Sequence, residues 1–248
     1  VSVDSRRWIK FLTDILPRFS CELAASLSDF EKRMLQMFYI TVFQEAADWR
    51  SHTTQANMQL LADSPIMMHE LNELLSFNLE RIDFIDQPVP LGFDCPLDLH
   101  CTYTRDQILI AMDYMTPKNV REGVKWLPDK QVDVFFITLN KADKDYSPTT
   151  MYNDYSINES LFHWQSQSTT SDTASTGQRY INHRQRGSKV VLFVREFKQD
   201  SIGAAPYTCL GTAAYVKHTG SKPMNITWHL DQPIPAKYLR KTNKLVVG

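Results

Sequence analysis

The sequence predicts an α+β protein in which a helical N-terminal part is followed by a β-rich domain. Over roughly the first 90 residues, hydrophobic side chains recur every three or four positions, the period of an amphipathic helix. Beyond them, short runs rich in β-branched and aromatic residues are separated by turn residues, as the strands of a sheet are. The balance of charge also changes along the chain, which indicates two modules.

The first two helices are predicted from their capping residues. Ser5 can cap a helix that ends at Pro17, and its apolar positions are Trp8, Phe11, Leu12 and Ile15. Ser28 and Glu31 have the spacing of a capping box, which predicts a second helix behind them. Its repeating positions are Phe30, Met34, Met37, Phe38, Thr41, Val42 and Trp49. Stripes of methionine and aromatic residues at this spacing favour a packed core over a cofactor site.

A third helix and a domain boundary follow. Ser64 is a capping residue, and Pro65 stands at the first helical position, where proline is favoured. The predicted stripe of this helix is Met68, Leu71, Leu74, Leu75, Leu79 and Ile82. Helix-breaking residues then interrupt the period at Pro88, Pro90, Gly92 and Pro96. We therefore predict a helical connector over residues 1–96 and a β-rich domain over residues 97–248.

The β-rich domain is predicted to begin with one more short helix. The capping box formed by Thr104 and Gln107 opens it, and it extends to about Met115. The predicted strands are Val132–Thr138, Lys189–Phe197, Tyr207–Val216 and Met224–Leu230. Turn residues such as Arg186-Gly187 and Thr219-Gly220 lie between them. Several short strands joined in this way favour a small mixed or antiparallel barrel.

Composition excludes several classes of protein. No apolar run approaches the roughly 18 residues that a membrane-spanning helix needs, so we expect a cytoplasmic protein with no membrane partner. Cys95, His100 and Cys101 lie close together but lack the second ligand pair of a structural zinc site. We therefore expect reduced cysteines, no metal and no cofactor. The start, Val-Ser-Val-Asp, resembles neither an initiator methionine nor a signal peptide, which favours a fragment of a longer chain.

The net charge of −1 conceals an asymmetry. Residues 1–100 contain 8 Lys and Arg against 15 Asp and Glu, a net charge of −7, whereas residues 101–248 carry +6. From Arg179 onward the net charge is +9. A basic module attracts polyanions, although a lysine-rich solvated face is the other interpretation.

The stretch from Phe162 to Tyr180 is the strongest indication of a binding site, because it combines aromatic rings with many hydrogen-bonding side chains. Nearby rings can stack on a nucleobase, while a carboxylate and amides can bind its edge. The predicted base-binding residues are Tyr152, Asp154, Tyr155, Phe162, Trp164, Gln165 and Gln167. The predicted contacts to the DNA backbone are Ser168, Arg179, Arg184, Arg186, Lys189, Lys217 and Lys222. For any single aromatic residue, a place in the core is the competing interpretation.

A metal-dependent nuclease is the alternative from another class. Glu196, Phe197 and Lys198 follow a predicted buried strand, and an acidic residue, a spacer and a lysine at a strand end are the layout of restriction-nuclease metal sites. Asp172 or Asp154 would be the upstream ligand. The pattern is short, and charged strand ends are common.

Several longer motifs resemble one bacterial domain family. They are Tyr152-Asn-Asp-Tyr155, Leu161-Phe-His-Trp-Gln-Ser-Gln-Ser168, Gly177-Gln-Arg-Tyr180, Leu192-Phe-Val-Arg-Glu196, Leu210-Gly211 and Pro223-Met-Asn-Ile-Thr-Trp228. The segment, about Leu97–Arg240, is similar to the C-terminal target-recognition domain of SauUSI-type modification-dependent restriction enzymes. In that family it follows a helicase and, often, a phospholipase-D-type nuclease.

The resemblance implies a module that selects 5-methylcytosine or 5-hydroxymethylcytosine in duplex DNA. It also implies an SRA/PUA-like barrel that flips the base out, with helicase and nuclease modules elsewhere in the same polypeptide. No catalytic residue is then expected in this chain, which would not itself be an enzyme. A structural domain that docks onto the helicase is a further alternative.

Overall fold

Packing divides the chain into two units, Val1–Val120 and Arg121–Gly248. The computed structural model describes residues 3–83, 85–140 and 153–242. The boundary between the helical connector and the β-rich domain, predicted between residues 96 and 97, stays a prediction. The two units differ in net charge, which is −7 for residues 1–120 and +6 for residues 121–248.

The first unit is mainly helical. Its helices are α1 (Arg6–Ile15), α2 (Cys21–Ser26), α3 (Asp29–Phe43), α4 (His52–Ala62), α5 (Pro65–Glu80) and α6 (Arg105–Ala111). The unit also contains strand β1 (Thr102–Tyr103) and two 3₁₀ turns, Leu16–Arg18 and Pro117–Asn119. The predicted caps at Ser5, Ser28 and Ser64 are confirmed, as is the capping box of Thr104 and Gln107.

Helices α1 and α3 pack through residues that the helical period predicted. Trp8 is 1% exposed and donates its indole N–H to the Met34 carbonyl at 3.0 Å. Met34, Met37 and Phe38 are buried, which confirms the core assignment for these three residues, whereas Val42 of the same stripe is 40% exposed and Trp49 lies beyond the end of the helix. Helix α3 ends at Gln44, which adopts the left-handed conformation with φ of 59°.

The predicted α5 stripe lies on the more buried side of this helix. Leu75 and Ile82 are buried, the stripe residues Met68, Leu71 and Leu79 are half-buried, and only Leu74 of the stripe is exposed, at 40%. Helices α2 and α4 were not predicted.

The second unit contains a mixed sheet. Its strands are β2 (Val124–Leu127), β3 (Val132–Asn140), β4 (Tyr155–Ser156), β5 (Leu161–Gln165), β6 (Lys189–Phe197), β7 (Tyr207–Thr219) and β8 (Asn225–Leu230). The strand order is β2-β3-β6-β7-β8-β5-β4, and only the β3–β6 pair among these is parallel. In the described part of the chain β2 and β4 are the ends of this path and do not pair with each other.

The four predicted strands are confirmed, with ends that differ by a few residues. The α+β class is confirmed as well. Helices α7 (Ser175–Ile181) and α8 (Ala236–Thr242) and strands β2, β4 and β5 were not predicted. The predicted turns contain Gly187 and Gly220, each with φ of 73°, a conformation that glycine adopts without strain.

One face of this sheet forms a core rich in aromatic rings. Phe135 stacks on Trp164 at a centroid distance of 4.2 Å and meets Trp228 edge to face at 5.5 Å. Tyr180 of α7 contacts Phe135 and Trp164 edge to face, both at 5.5 Å. Burial raises the pKa of the Tyr180 hydroxyl well above its ordinary value, so this group stays neutral.

None of the described helices is both long and apolar enough to cross a membrane.

Candidate nucleic-acid interface

Strand β5 distributes its side chains between two different environments. Successive residues of a strand point to opposite faces of the sheet. Phe162 and Trp164 are buried, whereas Leu161, His163 and Gln165 are half-buried. The first residues of the Phe162–Tyr180 stretch therefore divide between two faces of the sheet. Phe162 and Trp164 belong to the core, whereas His163 and Gln165 belong to the more open face.

Phe162 and Trp164 face the core. Phe162 is 0% exposed and Trp164 is 5% exposed. The stacking of Trp164 on Phe135 and its edge contact with Tyr180 occupy the ring within the packed interior. In this arrangement neither ring has a face open to a base, which is the core interpretation stated above for single aromatic residues.

The opposite side of β4, β5, β8 and β7 carries a row of polar side chains. Tyr155 pairs with His163, His163 pairs with Thr227, and Thr227 pairs with Lys217, so the row crosses four adjacent strands. Directly paired residues project from the same face of a sheet. The Tyr155 and His163 rings stack at 4.7 Å with an interplanar angle of 16°.

A second row lies beside the first. Gln165 pairs with Asn225, and Asn225 pairs with Thr219. The amide nitrogen of Gln165 donates to the amide oxygen of Asn225 at 3.3 Å. We refer to Tyr155, His163, Gln165, Lys217, Asn225 and Thr227 together as the polar face. Lys217 is exposed and Thr227 is buried at 8% exposure, while the other four residues are half-buried.

Asp154 and the Asn153 carbonyl hold one edge of the polar face in place. The buried Asp154 carboxylate accepts a hydrogen bond from the Gln165 backbone N–H at 2.8 Å. The Nδ1 atom of His163 is 2.7 Å from the carbonyl oxygen of Asn153. These contacts join the residues that precede β4 to strand β5. Asp154 therefore positions Gln165 in this structure and does not extend from the polar face.

The Ser/Thr tract after β5 folds into an internally bonded loop, residues 166–174. Gln167 accepts hydrogen bonds from the hydroxyls of Thr170 at 3.0 Å and Tyr180 at 3.1 Å. Ser166 accepts from the Met224 backbone N–H at 2.8 Å, which connects the loop to the start of β8. The side-chain oxygen of Gln167 is thus occupied by hydrogen bonds that stabilise the loop, while Ser168 is exposed.

The loop also contacts the end of β7 and the turn that follows it, where the Asp172 backbone N–H donates to the Ser221 hydroxyl at 3.3 Å. His218 lies 2.6 Å from the Tyr215 hydroxyl and 3.5 Å from the Asp172 carboxylate. The Ser221 hydroxyl and the neighbouring His218 lower the pKa of Asp172 below its ordinary value. A negatively charged Asp172 therefore suits its contacts with this turn.

The predicted backbone-binding cations occupy different environments. Arg179 forms a two-bond ion pair with the buried Asp133, at 2.8 and 2.9 Å. Lys217 is exposed on the polar face, and Lys222 is exposed in the adjoining turn. Arg184 and Arg186 are exposed beyond α7, and Lys189 is half-buried at the start of β6. Of these predicted cations, only Lys217 lies on the polar face, and only Lys222 lies in the turn that adjoins it.

The two carboxylates proposed as the upstream ligand of a nuclease centre have other partners. Asp154 is bonded to Gln165, and Asp172 is paired with His218. Across residues 3–83, 85–140 and 153–242, no three His, Cys, Asp or Glu side chains are grouped so that they could hold a metal ion. Burial raises the pKa of the Cys95 thiol to about 12, which keeps it protonated and weakens it as a ligand.

Of the predicted base-binding residues, the polar face includes Tyr155 and Gln165. Tyr152 lies outside the described residues, and the base-binding roles stay predictions. The polar face adds His163, Asn225 and Thr227, which the sequence argument did not select. The alternation of polar and apolar residues in Leu161–Gln165 and Asn225–Leu230 was the available signal, because it marks strands with one wet face.

The arrangement combines a stacked ring pair, two amides and a cation on neighbouring strands. No curated protein matches the chain. A family model described as a domain of unknown function, DUF3427, matches residues 97–241. This match covers more than half of the chain and includes every residue of the polar face. The chain belongs to the DUF3427 family.

Proposed function

We propose that this chain is a DNA-recognition module that selects modified cytosine, and that the polar face contacts the DNA. The observation that carries the proposal is the row of Tyr155, His163, Thr227 and Lys217 across four strands, beside the amide pair of Gln165 and Asn225. Sheet faces that carry aromatic rings are a recurrent platform for unpaired bases, because every base has a flat surface for stacking.

The chemistry of the polar face suits a base that has left the duplex. The Tyr155–His163 stack supplies two aromatic rings on β4 and β5, the last two strands of the sheet order. The amides of Gln165 and Asn225 supply both donors and acceptors, as the pairing edge of cytosine requires. Lys217 can neutralise a flanking phosphate.

Selection of the 5-position rests on the resemblance to the recognition domain of modification-dependent restriction enzymes. Burying one methyl group contributes on the order of 1 kcal/mol, or about a fivefold preference. A flipped base would allow this contact while its pairing edge is bound. The proposal includes the SRA/PUA-like barrel and places the helicase and nuclease modules elsewhere in the polypeptide, so this chain binds DNA without cutting it.

The test is a binding titration without metal ions. Three duplexes differ only in one cytosine, which is unmodified, 5-methylated or 5-hydroxymethylated, and affinity is followed by fluorescence anisotropy. We expect tighter binding of a modified duplex. Tyr155→Ala should weaken binding of every duplex, by about five- to a hundredfold, because stacking contributes about 1–3 kcal/mol per base. Gln165→Ala should reduce the preference among bases.

Arg121→Ala is the matched control, because Arg121 is exposed just before β2, the strand at the opposite end of the sheet order from β4. Its binding should equal that of the unaltered chain. Equal affinity for modified and unmodified duplexes would contradict selection of modified cytosine. Unchanged binding by both Tyr155→Ala and Gln165→Ala would remove the polar face from the proposal. Magnesium-dependent cutting that Lys198→Ala abolishes would favour the nuclease alternative.

A further inference from the structure

An extra residue in strand β7 determines which of its side chains reach the polar face. The pairing of β7 with β8 shifts between Tyr215 and Lys217, so Val216 is the additional residue of a β-bulge. Lys217 therefore pairs with Thr227 and projects from the polar face. In a strand without the bulge, Lys217 would pair with the fully buried Ile226 and would point toward the core.

The bulge lies beyond the part of β7 that pairs with β6, and a histidine holds it there. The pairing of β6 with β7 begins at Val190 and Ala213, so Tyr215 is two residues past it. The Nε2 atom of His183 accepts a hydrogen bond from the Tyr215 backbone N–H at 3.1 Å. His183 is 2% exposed, and its ring centre is 5.7 Å from that of Trp228. A buried imidazole thus supplies the acceptor that a neighbouring strand supplies elsewhere in the sheet.

The partners of His183 require a neutral ring. A backbone N–H can only donate, so Nε2 must be unprotonated to accept from Tyr215. A carbonyl oxygen can only accept, so the ring proton is on Nδ1, which donates to the Ser188 carbonyl at 3.2 Å. The Ser188 backbone N–H in turn donates to the His183 carbonyl at 2.8 Å. A second proton on the ring would set two N–H groups against each other at the bulge.

The charged groups around His183 also favour the neutral ring. Burial is the main cause that lowers the pKa of His183 below its ordinary value, and the nearby cations Arg184 and Lys189 lower it further. Asp231 acts in the opposite direction, but its carboxylate is 3.5 Å from the guanidinium of Arg184. The Tyr215 hydroxyl is not a counter-charge, because burial raises its pKa and keeps it neutral.

We propose that His183 is a pH-sensitive positioning residue for the polar face: the neutral ring holds the β7 bulge, and protonation of the ring releases the bulge and, with it, Lys217. The consequence for DNA rests on the function proposed above. Because the opened chain binds the proton more readily than the packed ring, the stabilisation is complete above about pH 6.5 and is lost as the pH falls below that value.

The first experiment measures hydrogen exchange of the Tyr215 amide by NMR, from about pH 7.5 to about pH 5.5, corrected for the intrinsic pH dependence of exchange. We expect the protection factor to fall roughly three- to tenfold, because an imidazole released by opening is about 90% protonated at the lower pH. The same spectra should show the Nδ1–H tautomer of His183 at neutral pH. A protection factor that is independent of pH, or the Nε2–H tautomer, would overturn the proposal.

His183→Gln separates this ring from the other titrating groups. The glutamine side-chain oxygen can accept from the Tyr215 N–H but does not titrate, so the protection factor of this variant should be independent of pH. His52→Gln is the matched control, because His52 is exposed at the start of α4, and it should retain the pH dependence of the unaltered chain. If His183→Gln also retained it, the effect would belong to another group, such as His218 at the Tyr215 hydroxyl, and the proposal would fail. Should His183→Gln not fold, the measurement on the unaltered chain decides.

A DNA titration tests the link with Lys217. The affinity of the unaltered chain for a 5-methylated duplex, divided by that of His183→Gln, should fall several-fold between about pH 7.5 and about pH 5.5. The ratio cancels the charge that the other histidines gain in acid. A constant ratio would contradict control of Lys217 by the bulge. If neither protein bound DNA at any pH, the proposed function would fail, while amide exchange, which needs no DNA, would still decide the role of His183.

Discussion

Gly177 lies where the loop of residues 166–174 returns over helix α7. A Cβ atom at this position would approach the Ser171 carbonyl group, with 2.9 Å to its carbon, and would lie 3.0 Å from the sulfur of Met224. The obstacle at Ser171 is backbone, which cannot rotate away as a side chain can. Glycine is therefore required here by the close approach of two chain segments.

We predict that Gly177→Ala lowers the free energy of unfolding by about 1–3 kcal/mol, the usual effect of inserting a methyl group into filled space. Urea unfolding followed by circular dichroism measures the change. Gly123→Ala is the matched control, because its Cβ atom would meet only the Phe136 carbonyl oxygen, at 3.5 Å. The control should stay within about 0.5 kcal/mol of the unaltered chain. Equal losses in the two variants would show that the approach of Ser171 does not determine the residue at position 177.

At the scale of elements, an ion pair fastens helix α7 to the sheet. Arg179 bonds through Nε and Nη2 to both oxygens of Asp133, a fully buried residue of β3. The guanidinium also lies 4.5 Å from the ring centre of Trp126 on β2. Burial raises the pKa of Asp133, and Arg179 opposes that rise, so the carboxylate depends on this partner for its charge.

We predict that Arg179→Met costs about 3–5 kcal/mol of stability, because it leaves a buried carboxylate without its cation. Arg186→Met, at an exposed position of the same segment, should change stability by less than about 0.5 kcal/mol. The double variant Asp133→Asn with Arg179→Met should be more stable than Arg179→Met alone, since it removes the unpaired charge. A double variant that is as unstable as the single one would contradict this account.

The elements that the sequence predicted are those with local signals. The capping boxes at Ser28 and Thr104 each depend on a partner three residues away, and both formed as predicted. Strand β6 is a run of β-branched and apolar residues, and its predicted bounds match the structure. Helix α7 was missed because its N-cap, Ala174, has no side-chain hydrogen bond to mark the start.

The site was harder to predict because its residues meet through distant pairings. Trp164 enters the core by stacking on Phe135, which is remote in sequence, so the segment around Trp164 does not reveal which way its ring points. Tyr155 and Lys217 share a face only through the register of four strands. Strand β5 was also not predicted. Its last residue, Gln165, begins the polar Gln-Ser-Gln-Ser run, and this run does not have the sequence pattern of a strand.

At the scale of the whole molecule, charge follows the division into units. Residues 1–120 carry −7 and residues 121–248 carry +6, so the change of sign noticed in the sequence separates the two packed units. Only the basic unit contains the polar face. A polyanion should therefore be attracted to the second unit and repelled by the first.

The difference in charge between the two units leads to a prediction for the intact chain. The measurement is the affinity for a DNA duplex across a series of salt concentrations. Lys217→Gln and Lys222→Gln should each lower the affinity and reduce the slope of log K against log salt by about 1, because each removes one phosphate contact. Glu70→Gln and Glu73→Gln, at exposed positions of α5, should leave the slope unchanged. Their only effect should be a small gain in affinity at low salt, where long-range repulsion is least screened. If the glutamate variants altered the slope as much as the lysine variants, phosphate contacts would not be confined to the basic unit, and the assignment of the DNA-binding surface to the polar face would fail.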